Sequence, residues 1–204
     1  MAVITISRQF GAGGLTLGKE LAQVMGYTLV DEEVIKLISK KARVSQNWVT
    51  AIEKEAGGKL QQFISRLLPR GLVDRILDDQ RGYIDEEIYI NLLDQIIRQI
   101  AEKDNCVILG RGGQYILKNR PDTFHILLIS SKQDRIRFME THYDLAPAQA
   151  MQVVNAEDKR RINLYRKFDK SDYDQPDHYH LTLNMSKIPL ESATAIVSRL
   201  VTGQ

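Results

Sequence analysis

Ala2-Val3-Ile4-Thr5-Ile6-Ser7-Arg8-Gln9-Phe10-Gly11-Ala12-Gly13-Gly14-Leu15-Thr16 opens the chain, and its reading decides the rest. Residues 2–6 are a short β-branched run, the pattern of a strand covered on both faces in the middle of a parallel sheet. A glycine cluster follows at Gly11, Gly13 and Gly14. Beyond it Leu15, Leu17, Leu21, Ala22 and Met25 recur at helical spacing, and Gly26 stands where a C-terminal cap belongs. A strand running through glycines into a helix makes an anion site. Glycines let backbone N–H groups approach a phosphate, and the helix N-terminus adds a favourable dipole. The plainer reading is a tight strand-to-helix turn with no ligand.

Working outward, Tyr27 to Val30 reads as a second short strand, and Asp31 as the cap of a helix carrying Val34, Ile35, Leu37 and Ile38. Residues 45–81 are polar, with breaks at Gly57-Gly58 and Pro69. They are expected to form two or three short helices, a flap over the mouth of the fold, with Trp48 packed beneath. Residues 83–102 predict a long amphipathic helix, and Cys106 to Leu109 a buried strand that ends in Gly110-Arg111-Gly112-Gly113. Phe124 to Ile129 is a further strand, residues 146–168 a charged helix, His180 to Leu183 the last strand and 189–201 the closing helix. This alternation predicts an α/β fold: a doubly wound parallel sheet flanked by helices, with the first strand central. No repeat or low-complexity linker interrupts residues 1–204, so a single domain is expected.

The bulk numbers exclude more than they name. The chain has 204 residues, 43% hydrophobic and 26% charged, an ordinary globular mix. A net charge of +2 is too small to steer a whole protein onto nucleic acid, so any anion site must come from local clustering. The one cysteine, Cys106, forms no internal disulfide and reads as a small core residue. No apolar run approaches the roughly 18 residues of a membrane helix, and the N-terminal one is too short for a signal peptide. A cytoplasmic protein with no membrane or nucleic-acid partner is expected; a homodimer is compatible with the sequence. His125, His142, His178 and His180 lack metal-ligand spacing, and no metal ligand is assigned among the side chains.

The glycine loop departs from the ordinary phosphate loop, G-x-x-x-x-G-K-[ST]. Gly13 to Lys19 matches seven positions, but Glu20 follows, and that register places the loop inside the helix pattern. The better register sets Gly13 on the second motif glycine. Arg8 then replaces the first glycine, Gly14 the lysine, and Leu15 the Ser/Thr, with Thr16 one residue later. The phosphate-binding set is Gly11, Ala12, Gly13, Gly14, Leu15 and Thr16.

The segment Ile4 to Gly14 resembles the opening of the cytidylate kinase-like family. Further resembling pieces are Leu29-Val30-Asp31, Ile108-Leu109-Gly110-Arg111-Gly112, Leu128-Ile129-Ser130-Ser131 running to Arg135, Asp158 to Arg161, and Leu183-Asn184-Met185-Ser186. They span nearly the whole chain in order. The resemblance implies a P-loop nucleoside-monophosphate kinase fold. It also implies transfer of a phosphoryl group from ATP, with Mg²⁺, to a nucleotide such as CMP or dCMP.

Phosphoryl transfer needs positive charge around the moving group and little covalent chemistry, so arginines at strand ends are the residues to find. Arg111 follows a strand directly, at the carboxyl edge where ligands of such folds bind. The resemblance makes it the holder of the acceptor phosphate, although the family's Gly-Arg-Asp reads Gly-Arg-Gly here. Arg135 matches an acceptor-contacting arginine, and Asp31 is what remains of the family's acceptor-pocket motif; a helix cap is an equal reading of Asp31. The basic run from residue 157 resembles a lid, about 157–178, that closes over the triphosphate. Asp158 and Arg161 have its Asp-x-x-Arg spacing, with Asp158 counted among the acceptor-binding residues beside Asp31, Arg111 and Arg135, and Arg160 is the next choice after Arg161. A solvated helix face is the plainer reading, and a nucleic-acid patch another. With lysine absent from the loop, Arg8 and Arg161 are the expected cations and Lys19 surface charge; Arg8 paired with Asp31 is the plain alternative. Two rival functions stay open. One is a nucleotide-holding module without turnover, favoured by Gly14; the other is a kinase for a non-nucleotide acceptor, favoured by the lost acceptor-pocket residues.

Overall fold

A computed structural model describes residues 2–31, 86–103, 105–166, 168 and 173–203. The helix expected after Asp31, the flap at 45–81 with Trp48, and residues 169–172 of the lid lie outside the described residues.

Among the described residues five strands form one sheet: β1 (Val3–Arg8), β2 (Thr28–Val30), β3 (Cys106–Leu109), β4 (Thr123–Ile129) and β5 (Leu181–Asn184). Their order is β2-β3-β1-β4-β5 and every pairing is parallel. The opening strand is therefore central, as its β-branched run predicts. Ile6 stands opposite Leu109 on one side, and Arg8 opposite Leu128 on the other.

The helices are α1 (Gly14–Met25), α2 (Glu86–Ala101), the single-turn α3 (Gly113–Ile116), α4 (Lys132–Tyr143), α5 (Pro147–Arg166) and α6 (Leu190–Thr202). One face of the sheet carries α1 and α6. There Ile4 and Ile6 of β1 and Ile126 and Leu128 of β4 pack with Leu17, Leu21, Ala193 and Val197. Burying one such side chain stabilises the fold by about 1.5–3 kcal/mol, so this layer anchors the sheet. The opposite face carries α3, where Gly113 approaches Thr5 and Ile108 closely. Ser131 caps α4 by accepting from the Asp134 N–H at 3.1 Å.

The last strand begins one residue later than its sequence suggests. Just ahead of it His180 stays tied to β4: its backbone N–H donates to His125 O at 2.8 Å, and its Nδ1 accepts the His125 N–H at 3.0 Å. Among the described residues no helix is long and apolar enough to cross a membrane.

Candidate phosphotransfer site

β1 ends at Arg8, and the chain then wraps the start of α1. Gln9 N–H donates to Leu128 O at 3.0 Å, while the Gln9 side-chain oxygen accepts from Ser130 N–H at 3.0 Å, so the loop is tied to the end of β4 from both sides. Gly11 and Gly13 have φ of +81° and +78°. Gly13 is the N-cap of α1 and makes no side-chain capping bond, so the N–H groups of the first turn have no side-chain acceptor there. That is the donor set an anion takes up at a helix start. Ala12 and Gly14 are buried and Thr16 is half-buried, whereas Leu15, at the place of a metal-binding hydroxyl, is 37% exposed.

The arginine of this loop does not lie idle along it. A Cβ on Gly14 would stand 2.7 Å from Arg8 Cγ, and one on Gly110 would stand 2.2 Å from Arg8 Nη1. The stem of Arg8 therefore crosses the start of α1, and its guanidinium reaches the end of β3. That end is a tight turn. Gly110, Arg111 and Gly112 follow one another with φ of +69°, +56° and +72°. The left-handed region is uncommon for a side-chain-bearing residue, so Arg111 is held there between two glycines that adopt it without strain. Gly110 N–H donates to Ile6 O at 2.9 Å, hooking the turn onto β1. Arg8, Asp31 and Arg111 each have interaction partners in this structure. Asp31 follows β2, beyond β3 and therefore two strands from β1.

Helix α5, which holds most of the expected lid, brings Asp158 and Arg161 to different places. Asp158 receives Arg135, Nη1 to Oδ1 at 2.8 Å and Nη2 to Oδ2 at 3.1 Å, and Arg135 Nη1 also donates to Phe10 O at 3.1 Å. Arg135, 6% exposed, thereby ties the loop, α4 and α5 together, and its donors face the underside of the loop. Arg161 turns toward β1. It donates to Asp174 at 2.5 and 2.8 Å and to Ser7 Oγ at 3.0 Å, with its carbon centre 4.9 Å from the Tyr165 ring and 5.0 Å from that of Tyr173. Those two rings stack at 4.8 Å. Burial alone would lower its pKa, but the Asp174 hydrogen bonds and the surrounding Tyr165 and Asp174 charge overcome this and hold it above the ordinary arginine value. Arg160 points to solvent and pairs with Glu157.

Sequence reasoning missed the polar residues around Arg161. Ser7 Oγ lies 2.9 Å from Tyr165 Oη, and Gln114 Nε2 donates to Tyr165 Oη at 3.3 Å and Tyr179 Oη at 3.2 Å. Tyr179 donates its own proton to Tyr173 O at 2.7 Å. Burial and the neighbouring Tyr165 push the Tyr179 phenol up, which keeps that proton in place. Tyr165, buried in a charged helix, was a readable signal; Asp174 was not, because its role depends on a partner thirteen positions away. A cavity of about 560 Å³ opens on this face, between α3 and residues 177–180, with His125 as one wall. No cluster of His, Cys, Asp or Glu able to hold a metal ion occurs among the described residues.

The sequence profile of the cytidylate kinase-like family matches residues 3–187, and the chain belongs to that family. No curated protein matches it. An uncharacterized protein from Eubacterium ventriosum ATCC 27560 is similar in structure at a TM-score of 0.67 and 18% identity, the match covering 100% of this chain and 99% of the other. Shikimate kinase from Acinetobacter baumannii, solved in complex with shikimate, is similar at 0.50 and 13% identity, covering 100% and 94%. At such identities the likeness shows the fold, which is that of the P-loop kinases.

Proposed function

We propose that this member of the cytidylate kinase-like family transfers the γ-phosphoryl of ATP to a nucleoside monophosphate, with CMP or dCMP the first candidates. The observation that carries the reading is the meeting of three elements on one carboxyl edge. These are the backbone-donor loop after β1, the Arg111 turn after the adjacent β3, and Arg161 delivered by α5 onto Ser7. In this reading residues 11–16 hold the triphosphate, and Arg8 and Arg161 compensate charge on the transferred group. Arg111 and Asp31 serve the acceptor, and Arg160 joins only through movement of the lid. Arg135 and Asp158 are assigned to bracing the loop from below rather than to the acceptor. Leu15 offers no oxygen where the ordinary pattern has a hydroxyl, so Mg²⁺ enters with the nucleotide, held by phosphate oxygens and water. A cytoplasmic setting with small nucleotides as partners belongs to the same proposal and rests on composition.

The test measures ATP consumption against the nucleoside monophosphates, with calorimetric binding of ATP and CMP. Consumption that depends on CMP or dCMP is expected. Binding without consumption would favour the nucleotide-holding module that Gly14 suggests. No ATP binding at all would end the kinase reading.

A further inference from the structure

We propose that Arg8 replaces the phosphate-loop lysine by a reciprocal exchange, and that Gly14 and Gly110 exist in this chain as its seat. The inference rests on the phosphotransferase reading above. In the ordinary loop the first position is glycine and the seventh is the lysine that reaches the β- and γ-phosphates. Here the first is Arg8 and the seventh Gly14. The two departures are one feature in space. Arg8 Cβ, Cγ and Cδ lie 3.2, 2.7 and 3.1 Å from the point where a Cβ on residue 14 would stand. A Cβ does not fit there unless Arg8 shifts, so a lysine at 14 and the stem of Arg8 exclude one another.

At its far end Arg8 Nη1 lies against Gly110, 2.2 Å from the missing Cβ position. Its guanidinium thus stands between the loop that holds the donor and the turn that carries Arg111. Neighbouring strands are about 4.8 Å apart, within the span of one arginine. In transfer, the bond from the γ-phosphorus to the β–γ bridging oxygen breaks, and a bond from an acceptor phosphate oxygen to that phosphorus forms; ADP leaves with the bridging oxygen's electron pair. Arg8 forms no covalent bond. From its seat it faces the peripheral oxygens of the moving group, and the guanidinium supplies planar paired donors where a lysine supplies a point charge.

The experiment compares the parent with Arg8→Ala, Gly14→Lys and the double variant Arg8→Gly/Gly14→Lys. ATP and ADP affinity are read by calorimetry, turnover by ATP consumption, and folding by Tm. For Arg8→Ala the expectation is a loss of ATP affinity of roughly tenfold or more, a smaller loss for ADP, and little change in Tm. Gly14→Lys alone lowers Tm and binding, because the two side chains contest one volume. The double variant recovers Tm and ATP affinity beyond Gly14→Lys. Equal ATP and ADP losses in Arg8→Ala, no loss, or a Gly14→Lys protein as stable as the parent would each overturn the exchange, as would a double variant no better than Gly14→Lys. A parent that binds no ATP removes the phosphotransferase reading and this inference with it. A parent that binds ATP while Arg8→Ala binds it equally well removes the inference alone.

Discussion

Ile4 and Ile6 leave β1 on one side of the sheet and meet α1 and α6; Thr5 and Ser7 leave it on the other and meet polar groups from distant elements. The apolar side is closed by side chains whose only requirement is volume and shape. On the polar side Thr5 Oγ1 lies 2.7 Å from His125 Nδ1, and Ser7 joins Tyr165 and Arg161. A buried hydroxyl or imidazole is costly unless its partner is in place, so this side depends on contacts made at long range, including those from α5. One strand thus divides its work by alternation: apolar packing on one face, polar contacts on the other.

The sharpest way to break that division is on the apolar face. Ile6→Ala should cost about 2–5 kcal/mol of stability through lost burial and a residual cavity, measured by urea unfolding. The loop donors should stay intact, so nucleotide affinity at low denaturant should remain near the parent's. A variant that loses affinity while keeping stability would merge the two faces.

On the polar face His125 supplies a pH signal. Burial, with the nearby His180, lowers its pKa from 6.5 to about 4. The unfolded chain therefore takes up a proton before the folded one does. This group's contribution is complete above pH 6.5, falls as pH drops from 6.5 toward 4, and is flat below. The loss amounts to at most about 3 kcal/mol. Unfolding between pH 7 and pH 4 should show this slope in the parent and a shallower one in His125→Gln. Equal slopes would detach His125 from the effect.

Arg161 and Asp174 form the next step down. Arg161→Ala leaves Asp174, 29% exposed, without its partner and should cost roughly 2–3 kcal/mol. Asp174→Asn should cost less, and the double variant should show coupling between the two. Additive effects would mean that the Arg161–Asp174 contact adds nothing of its own. The smallest effect belongs to Arg160, half exposed and paired, among the described residues, with Glu157 one turn away. Arg160→Ala should stay within about 0.5 kcal/mol in stability, and a larger change would show that it has contacts beyond that turn.

Local patterns carried much of this molecule. The run Val3 to Ile6, the spacing Leu17–Leu21, and the glycines at 11, 13 and 14 are enough to place a strand, a helix and the tight turn between them, since strand and helix periods and the freedom of glycine are properties of neighbouring residues. The parallel order with β1 central followed from the alternation of elements. What the tertiary structure alone decided was the partner of each charge. Asp158 and Arg161 are three residues apart in a motif, yet one faces Arg135 beneath the loop and the other faces Ser7 and Asp174. Arg8 and Gly14 read separately as two departures from a pattern and become one packed contact only when the loop is folded. Such pairings join residues distant in sequence or brought together by a turn, and an ion pair is set by the geometry of closure rather than by any local period.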